Sequence, residues 1–162
     1  MPFEQISGTN ISTEISQQDL NLIHQLQNIP NLTQTEKNQI IKARIGQGYF
    51  RRSLLSDCGF CPITLIDDPK LLIASHIKPW RDSNNQERLH HKNGILLTPT
   101  FDCLFDNGFI SFRNDKSLII SPHISDSTIQ KLQITLNMKI HSLPIEGREG
   151  FLEYHRDKVL KK

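Results

Sequence analysis

LLIASHIKPW, from Leu71 to Trp80, and NGILLTPTFDCLFDNG, from Asn93 to Gly108, are the two stretches whose order decides the fold. Leu71 to Ile77 is apolar and β-compatible, and it stops at a polar loop, Lys78 to Lys92, that holds Pro79. Gly94 to Leu97 is a second short strand-like run. Thr100 is placed to cap a helix reaching about Asp106, and Asn107-Gly108 offers a left-handed exit from it. The predicted order is strand, long loop, strand, short helix. His76 ends the first strand, Asn93 begins the second, and Asp102 and Asp106 share one helix face at i, i+4 spacing. Pairing the strands and packing the helix across them brings the four side chains together.

Working outward, Phe109 to Phe112 and Leu118 to Ser121 alternate around the polar turn Arg113 to Lys116, which predicts a hairpin extending the same sheet. Helical material is expected beyond Pro122, above all over Glu149 to Leu160, with Phe151, Tyr154 and Val159 facing the core. Upstream, Leu20, Ile23 and Leu26 after Asp19 predict one short helix closed before Pro30. Thr33 and Glu36 form a capping box for a second helix, whose Ile41 and Ile45 share a face and which Gly46 is expected to end. Residues 1–16 are polar without an apolar period and read as a loose arm. The expected organisation is an arm and short helix over 1–34, a core with a helical lead-in over 35–122, and a helical extension over 123–162.

A chain of 162 residues has room for one folded domain with an appendage. The longest uninterrupted apolar run, Leu71 to Ala74, is far too short to span a bilayer, so no membrane partner is expected. Three cysteines do not make the even set of a secreted, disulfide-stapled domain, which points to a reducing, cytoplasmic setting. The net charge of +2 is too mild to identify a polyanionic partner, but its distribution says more. No acidic residue occurs from Lys37 to Ser56, whereas Lys42, Arg44, Arg51 and Arg52 are basic, a local field suited to phosphates.

Phosphodiester hydrolysis needs a base to activate water and a cation to neutralise charge on the phosphate and the leaving oxygen. His76 with the oxygen donors Asp102 and Asp106 meets both needs. Each residue also has an ordinary structural reading: a polar strand end, a turn at Asn93-Gly94, a helix-terminal charge.

Taken together, Ala74-Ser75-His76-Ile77-Lys78-Pro79-Trp80, Glu87-Arg88-Leu89, Asn93-Gly94-Ile95-Leu96-Leu97 and Phe105-Asp106-Asn107-Gly108-Phe109-Ile110 resemble the HNH endonucleases, particularly the restriction-type branch. The resemblance runs from about Thr35 to Phe112, because Lys42 to Arg51 also resembles the lead-in of that branch. It implies an α+β architecture with a ββα-metal core, DNA as partner and substrate, and one divalent cation. Carried over by position, it makes His76 the general base and gives Asn93 the task of orienting the loop that holds it. Asp102 falls where the family usually has a His metal ligand, Asp106 where some members add another, and Ser75 where an acidic or His ligand often stands. Carboxylate donors favour Mg²⁺ or Mn²⁺. Many relatives hold a structural zinc with two Cys-x-x-Cys pairs; only Cys58, Cys61 and the lone Cys103 occur here, so structural zinc is not expected.

Lys78, Arg81 and Arg88 join Lys42, Arg44, Arg51 and Arg52 as expected contacts to the DNA backbone. Trp80 is expected to anchor packing rather than stack on a base. Double-strand cleavage from one base and one metal site per chain implies a homodimer. Base specificity is expected either from this chain or from a separate domain or subunit. The competing reading is a DNA-binding module that kept the ββα scaffold without cutting.

Overall fold

The computed structural model describes residues 17–162; the arm expected over 1–16 lies outside the described residues. The chain divides into two compact units, one ending at Tyr49 and one running from Phe50 to Lys162. The first holds α1 (Gln17–Gln27) and most of α2 (Gln34–Asp57). Thr33 N–H donates to Glu36 Oε2 at 2.8 Å and Glu36 N–H donates to Thr33 Oγ1 at 3.3 Å, so the expected capping box opens α2. Gly46 does not end it. The helix continues through Gly46 and Gly48 to Asp57 because its last turns carry Phe50 and Leu54, each 1% exposed. Two interior glycines cost about 1 kcal/mol each, and burying a Phe and a Leu returns roughly 1.5–3 kcal/mol apiece.

In the second unit, β1 (Ile73–His76) pairs antiparallel with β2 (Gly94–Leu97) in the register Ile73↔Leu97, Ala74↔Leu96, Ser75↔Ile95, His76↔Gly94. Between them lies α3 (Asn85–Leu89), a helix inside the stretch expected to be loop. Asn84 caps it by accepting from Glu87 N–H at 2.9 Å, while Glu87 Oε2 accepts from Asn84 N–H at 2.9 Å. After β2, α4 (Pro99–Asp106) starts one residue before the expected cap, with Thr98 as N-cap and Pro99 in the first turn. Gly108 then takes φ +71°, as the Asn-Gly signal predicts, and a Cβ there would also collide with the Val159 carbonyl.

The hairpin of β3 (Ile110–Phe112) and β4 (Leu118–Ile120) forms in the expected place but does not extend the first sheet. It is a separate two-stranded ribbon, and α4 touches β1, β2 and β3. The outer edge of β4 is taken by residues 137–140: Leu118 N–H donates to Met138 O at 2.8 Å and Asn137 N–H donates to Leu118 O at 3.2 Å. After β4 the only α-helices are short, α5 (Asp126–Lys131) and α6 (Glu149–Tyr154), and a π-helical turn, His155–Val159, follows α6. α6 and this turn fully bury Leu152 and His155; of the residues expected to face the core, Phe151 packs against it half-buried, whereas Tyr154 and Val159 are not part of it.

His155 is 1% exposed and lies flat on the Phe105 ring, centroids 3.8 Å apart. Its Nε2 faces the Phe105 carbonyl at 3.0 Å and its Nδ1 faces Ser111 Oγ at 2.9 Å. A carbonyl only accepts, so Nε2 carries the hydrogen and Nδ1 accepts from the serine hydroxyl. This one ring links α4, β3 and the C-terminal turn.

Burial pushes the His155 pKa down to about 4 from an ordinary 6.5. The unfolded chain therefore takes up the proton first, and the resulting stability is complete above pH 6.5 and lost as pH falls from 6.5 through 4. The difference corresponds to about 3 kcal/mol. Denaturant unfolding at pH 7.0, 5.5 and 4.5 is expected to show this loss in the wild type. His155→Gln, less stable at pH 7, should show a shallower decline over the same range; parallel declines would remove His155 as the source.

Candidate active site

Asn93 is fully buried at the entrance to β2. Its Oδ1 accepts from Lys78 N–H at 2.8 Å, and its Nδ2 donates to Glu87 O at 3.1 Å, Ser83 Oγ at 3.2 Å and Lys78 O at 3.3 Å. Its own carbonyl accepts from Ile77 N–H at 3.0 Å. One side chain thus ties the end of β1 to the 3₁₀ turn Trp80–Asp82 and to α3. Gly94 is not there to make a turn: its φ of −151° is ordinary extended backbone. A Cβ at that position would collide with the rings and methyls of Phe50 and Leu54, so glycine lets α2 approach β2 closely.

The same Phe50 ring stacks on His76, with centroids 3.8 Å apart and planes 10° from parallel, and His76 meets Trp80 edge-on at 5.6 Å. His76 Nε2 lies 2.9 Å from the Arg88 carbonyl. Since the carbonyl accepts, Nε2 carries the hydrogen and Nδ1 keeps the lone pair. Burial lowers the His76 pKa; the Arg88 carbonyl bond and the Asp106 charge oppose that, and the Arg88 charge adds to it, for a net decrease. The ring is neutral near pH 7 and fixed in one tautomer, the state a general base needs.

Asp102 and Asp106 face this corner from α4. Burial raises the Asp102 pKa, the nearby Ser75 hydroxyl lowers it, and the Asp106 charge raises it further. Ser75 Oγ is buried, and although it lies close enough to affect Asp102, no partner meets hydrogen-bond geometry with it. Two neighbouring carboxylates and an orphaned hydroxyl form an oxygen-only donor set. Among the described residues no cluster of three or more His, Cys, Asp or Glu side chains gathers into a metal cage. Mg²⁺ sites commonly use one or two carboxylates, with water and phosphate completing the shell, and these donors fit that pattern.

Residues 61–113 match the HNH endonuclease family. Over this third of the chain the protein is thus similar to a family of nucleases. No curated protein matches the chain. The HNH segment has the α+β build the sequence implied, with β1, β2 and α4 bringing His76, Asn93, Asp102 and Asp106 to one corner.

Around that HNH corner the expected DNA contacts have different surroundings. Arg81 has an exposed side chain with only a loose 3.8 Å approach to Asp82. Lys78 Nζ is held by both Glu87 oxygens at 2.9 and 2.8 Å. Arg88 donates to Trp80 O at 3.0 Å and lies over the Trp80 ring at 4.9 Å, so Trp80 is an anchor. Arg51 donates to the carbonyls of Leu72 and Pro69 at 2.6 and 2.5 Å, and Arg52 is half-buried beside it on α2. In the other unit Lys42 is exposed, and Arg44 pairs with Asp19 at 3.1 Å. Cys61 is buried in the core, Cys58 half-buried and Cys103 exposed on α4.

The sequence reading gave no site role to three residues, Phe50, Ser83 and Glu87. Phe50 carries no local signal for its stack on His76. Ser83, 5% exposed, is one serine among several in a polar loop. Glu87 was legible as the partner of Asn84 in a capping box, the same pattern that located α2.

Asn93→Asp keeps the shape but turns the Nδ2 donor into an oxygen facing three acceptors. It is expected to destabilise the protein by about 3 kcal/mol or more at pH 7. Chemical denaturation would check this, and a change below 1 kcal/mol would remove the buried amide from its central place.

Proposed function

We propose that this protein is a metal-dependent DNA endonuclease of restriction or phage-defence type, acting in the cytoplasm. The observation that carries the reading is His76: a neutral imidazole whose Nε2–H is tied to the Arg88 carbonyl, leaving Nδ1 to take a proton, with the Asp106 charge close enough to act on the ring and Asp102 next to Asp106. The restriction assignment rests on the likeness of Lys42 to Arg51 and Ala74 to Trp80 to that branch of the family.

His76 Nδ1 receives the proton of the attacking water, and the Phe50 and Trp80 rings keep the imidazole from swinging away. Asn93 holds the loop that supplies the Arg88 carbonyl. Asp102 and Asp106, with Ser75 as a third oxygen, would hold Mg²⁺ or Mn²⁺. The bound ion would act as a Lewis acid, neutralising charge on the phosphate and the leaving oxygen. Arg81, exposed on the same loop, is the cation best placed for the DNA backbone, and the other basic side chains add to the field around it. One such site cuts one strand, so double-strand scission would take two copies of the chain.

Plasmid nicking with Mg²⁺ and Mn²⁺ tests the reading. His76→Ala is expected to lower the rate by roughly 10²- to 10⁴-fold with DNA affinity unchanged. Asp102→Asn at limiting Mg²⁺ should cost no less than the roughly 10- to 100-fold associated with second-shell residues. A wild-type protein that binds DNA but leaves plasmid intact with both ions would favour a binding module on the same scaffold.

A further inference from the structure

The family match spans residues 61–113, yet two charged side chains outside it grip the entrance to β2. Arg148, the residue before α6, is 1% exposed. Its Nε donates to Gly94 O at 2.9 Å, and its Nη2 donates to Asp57 Oδ2 at 2.8 Å. Asp57 is the last residue of α2, and its Oδ1 lies 3.6 Å from Lys92 Nζ and 4.0 Å from His91 Nε2. Gly147 takes φ +77° and packs on the Lys92 stem, where a Cβ would come within 3.2 Å of Lys92 Cγ. Residues 91, 92 and 94 are therefore all engaged from outside, and the residue between them is Asn93.

An ion pair at this depth is a poor way to add stability, because desolvating the guanidinium offsets most of the attraction. A planar fork does provide direction: one edge fixes a carbonyl and the other fixes a carboxylate. Burial alone would raise the Asp57 pKa, but the Arg148 hydrogen bond and the charges of Arg148, Lys92 and His91 outweigh it and hold the carboxyl below its ordinary value. Asp57 thus stays charged and keeps the fork seated.

We infer that Asp57 and Arg148 form a clamp that positions Asn93, making them positioning residues for the nuclease site. The chain of contacts is short. The clamp holds residues 92 and 94, the Asn93 amide holds Lys78, Ser83 and Glu87, and the Arg88 carbonyl beside Glu87 holds His76. The C-terminal segment, outside the HNH match, thereby completes the site. The inference rests on the nuclease reading for its effect on rate, but not for its effect on Asn93.

The test compares Arg148→Gln, Arg148→Lys and Asp57→Asn with Leu143→Ala, a substitution of a fully buried core residue that makes none of these bonds. All are assayed where they are folded. Arg148→Gln is expected to lower kcat roughly 10- to 100-fold with KM for DNA unchanged, as for a small displacement of a catalytic group. Arg148→Lys should recover only part of this, since an ammonium cannot hold both partners in one plane. Independently of activity, NMR should show the Asn93 side-chain amide protons exchanging roughly tenfold faster or more in Arg148→Gln, with no such local change in Leu143→Ala. Should Arg148→Gln fail to fold, Asp57→Asn, at a partly exposed position and still able to accept from Nη2, carries the same expectations at smaller size. Asn93 exchange and kcat indistinguishable from Leu143→Ala would overturn the clamp. A wild type that does not cut, combined with faster Asn93 exchange in the variants, would uphold the clamp and overturn the nuclease reading.

Discussion

A single buried amide must be satisfied on every side. Asn93 has no exposure to water, so its oxygen and both its amide hydrogens need protein partners, and each one left unmade would cost about 1–3 kcal/mol. Those partners lie in the loop between β1 and β2. Meeting them folds residues 78–89 into a 3₁₀ turn and a helix, and that fold places the Arg88 carbonyl against His76. The geometry of His76 is thus a consequence of satisfying an amide seventeen residues further along the chain.

The environment then sets the chemistry. Stacking between Phe50 and the edge of Trp80 dehydrates His76 and lowers its pKa, whereas burial beside Asp106 raises that of Asp102. One corner therefore holds a neutral imidazole and a carboxylate that is less stable as an anion than usual. A divalent cation held by the carboxylates on α4 would relieve the second condition and, by cancelling the Asp106 charge that His76 on β1 feels, would also favour the neutral imidazole. The remaining segments brace these elements. Arg51 secures the approach to β1, His155 ties α4 to β3, and Arg148 holds the start of β2.

Local signals located what local physics controls. The capping box at Thr33, the strand Gly94 to Leu97, the left-handed Gly108 and the hairpin around residues 113–116 each depend on a few adjacent residues, and each was readable. The family was legible as a resemblance, carried by Ala74 to Trp80, Glu87 to Leu89, Asn93 to Leu97 and Phe105 to Ile110. Where distant packing competes with local preference, the reading went astray. Gly46 lost to the burial of Phe50 and Leu54, and the hairpin stayed apart from the first sheet because residues 137–140 occupy one edge of β4 and α4 lies against both ribbons.

The sequence by itself located β1, β2, α4 and the hairpin and marked His76, Asn93, Asp102 and Asp106 as the candidate side chains, since both follow from short-range spacing. Only the tertiary structure decided what surrounds them. Phe50 reaches His76, Gly94 is small for the sake of α2, and Arg148 crosses more than fifty residues to the Gly94 carbonyl. None of these contacts leaves a local trace, because an aromatic, a glycine or an arginine has the same backbone preferences whatever it meets after the chain has folded.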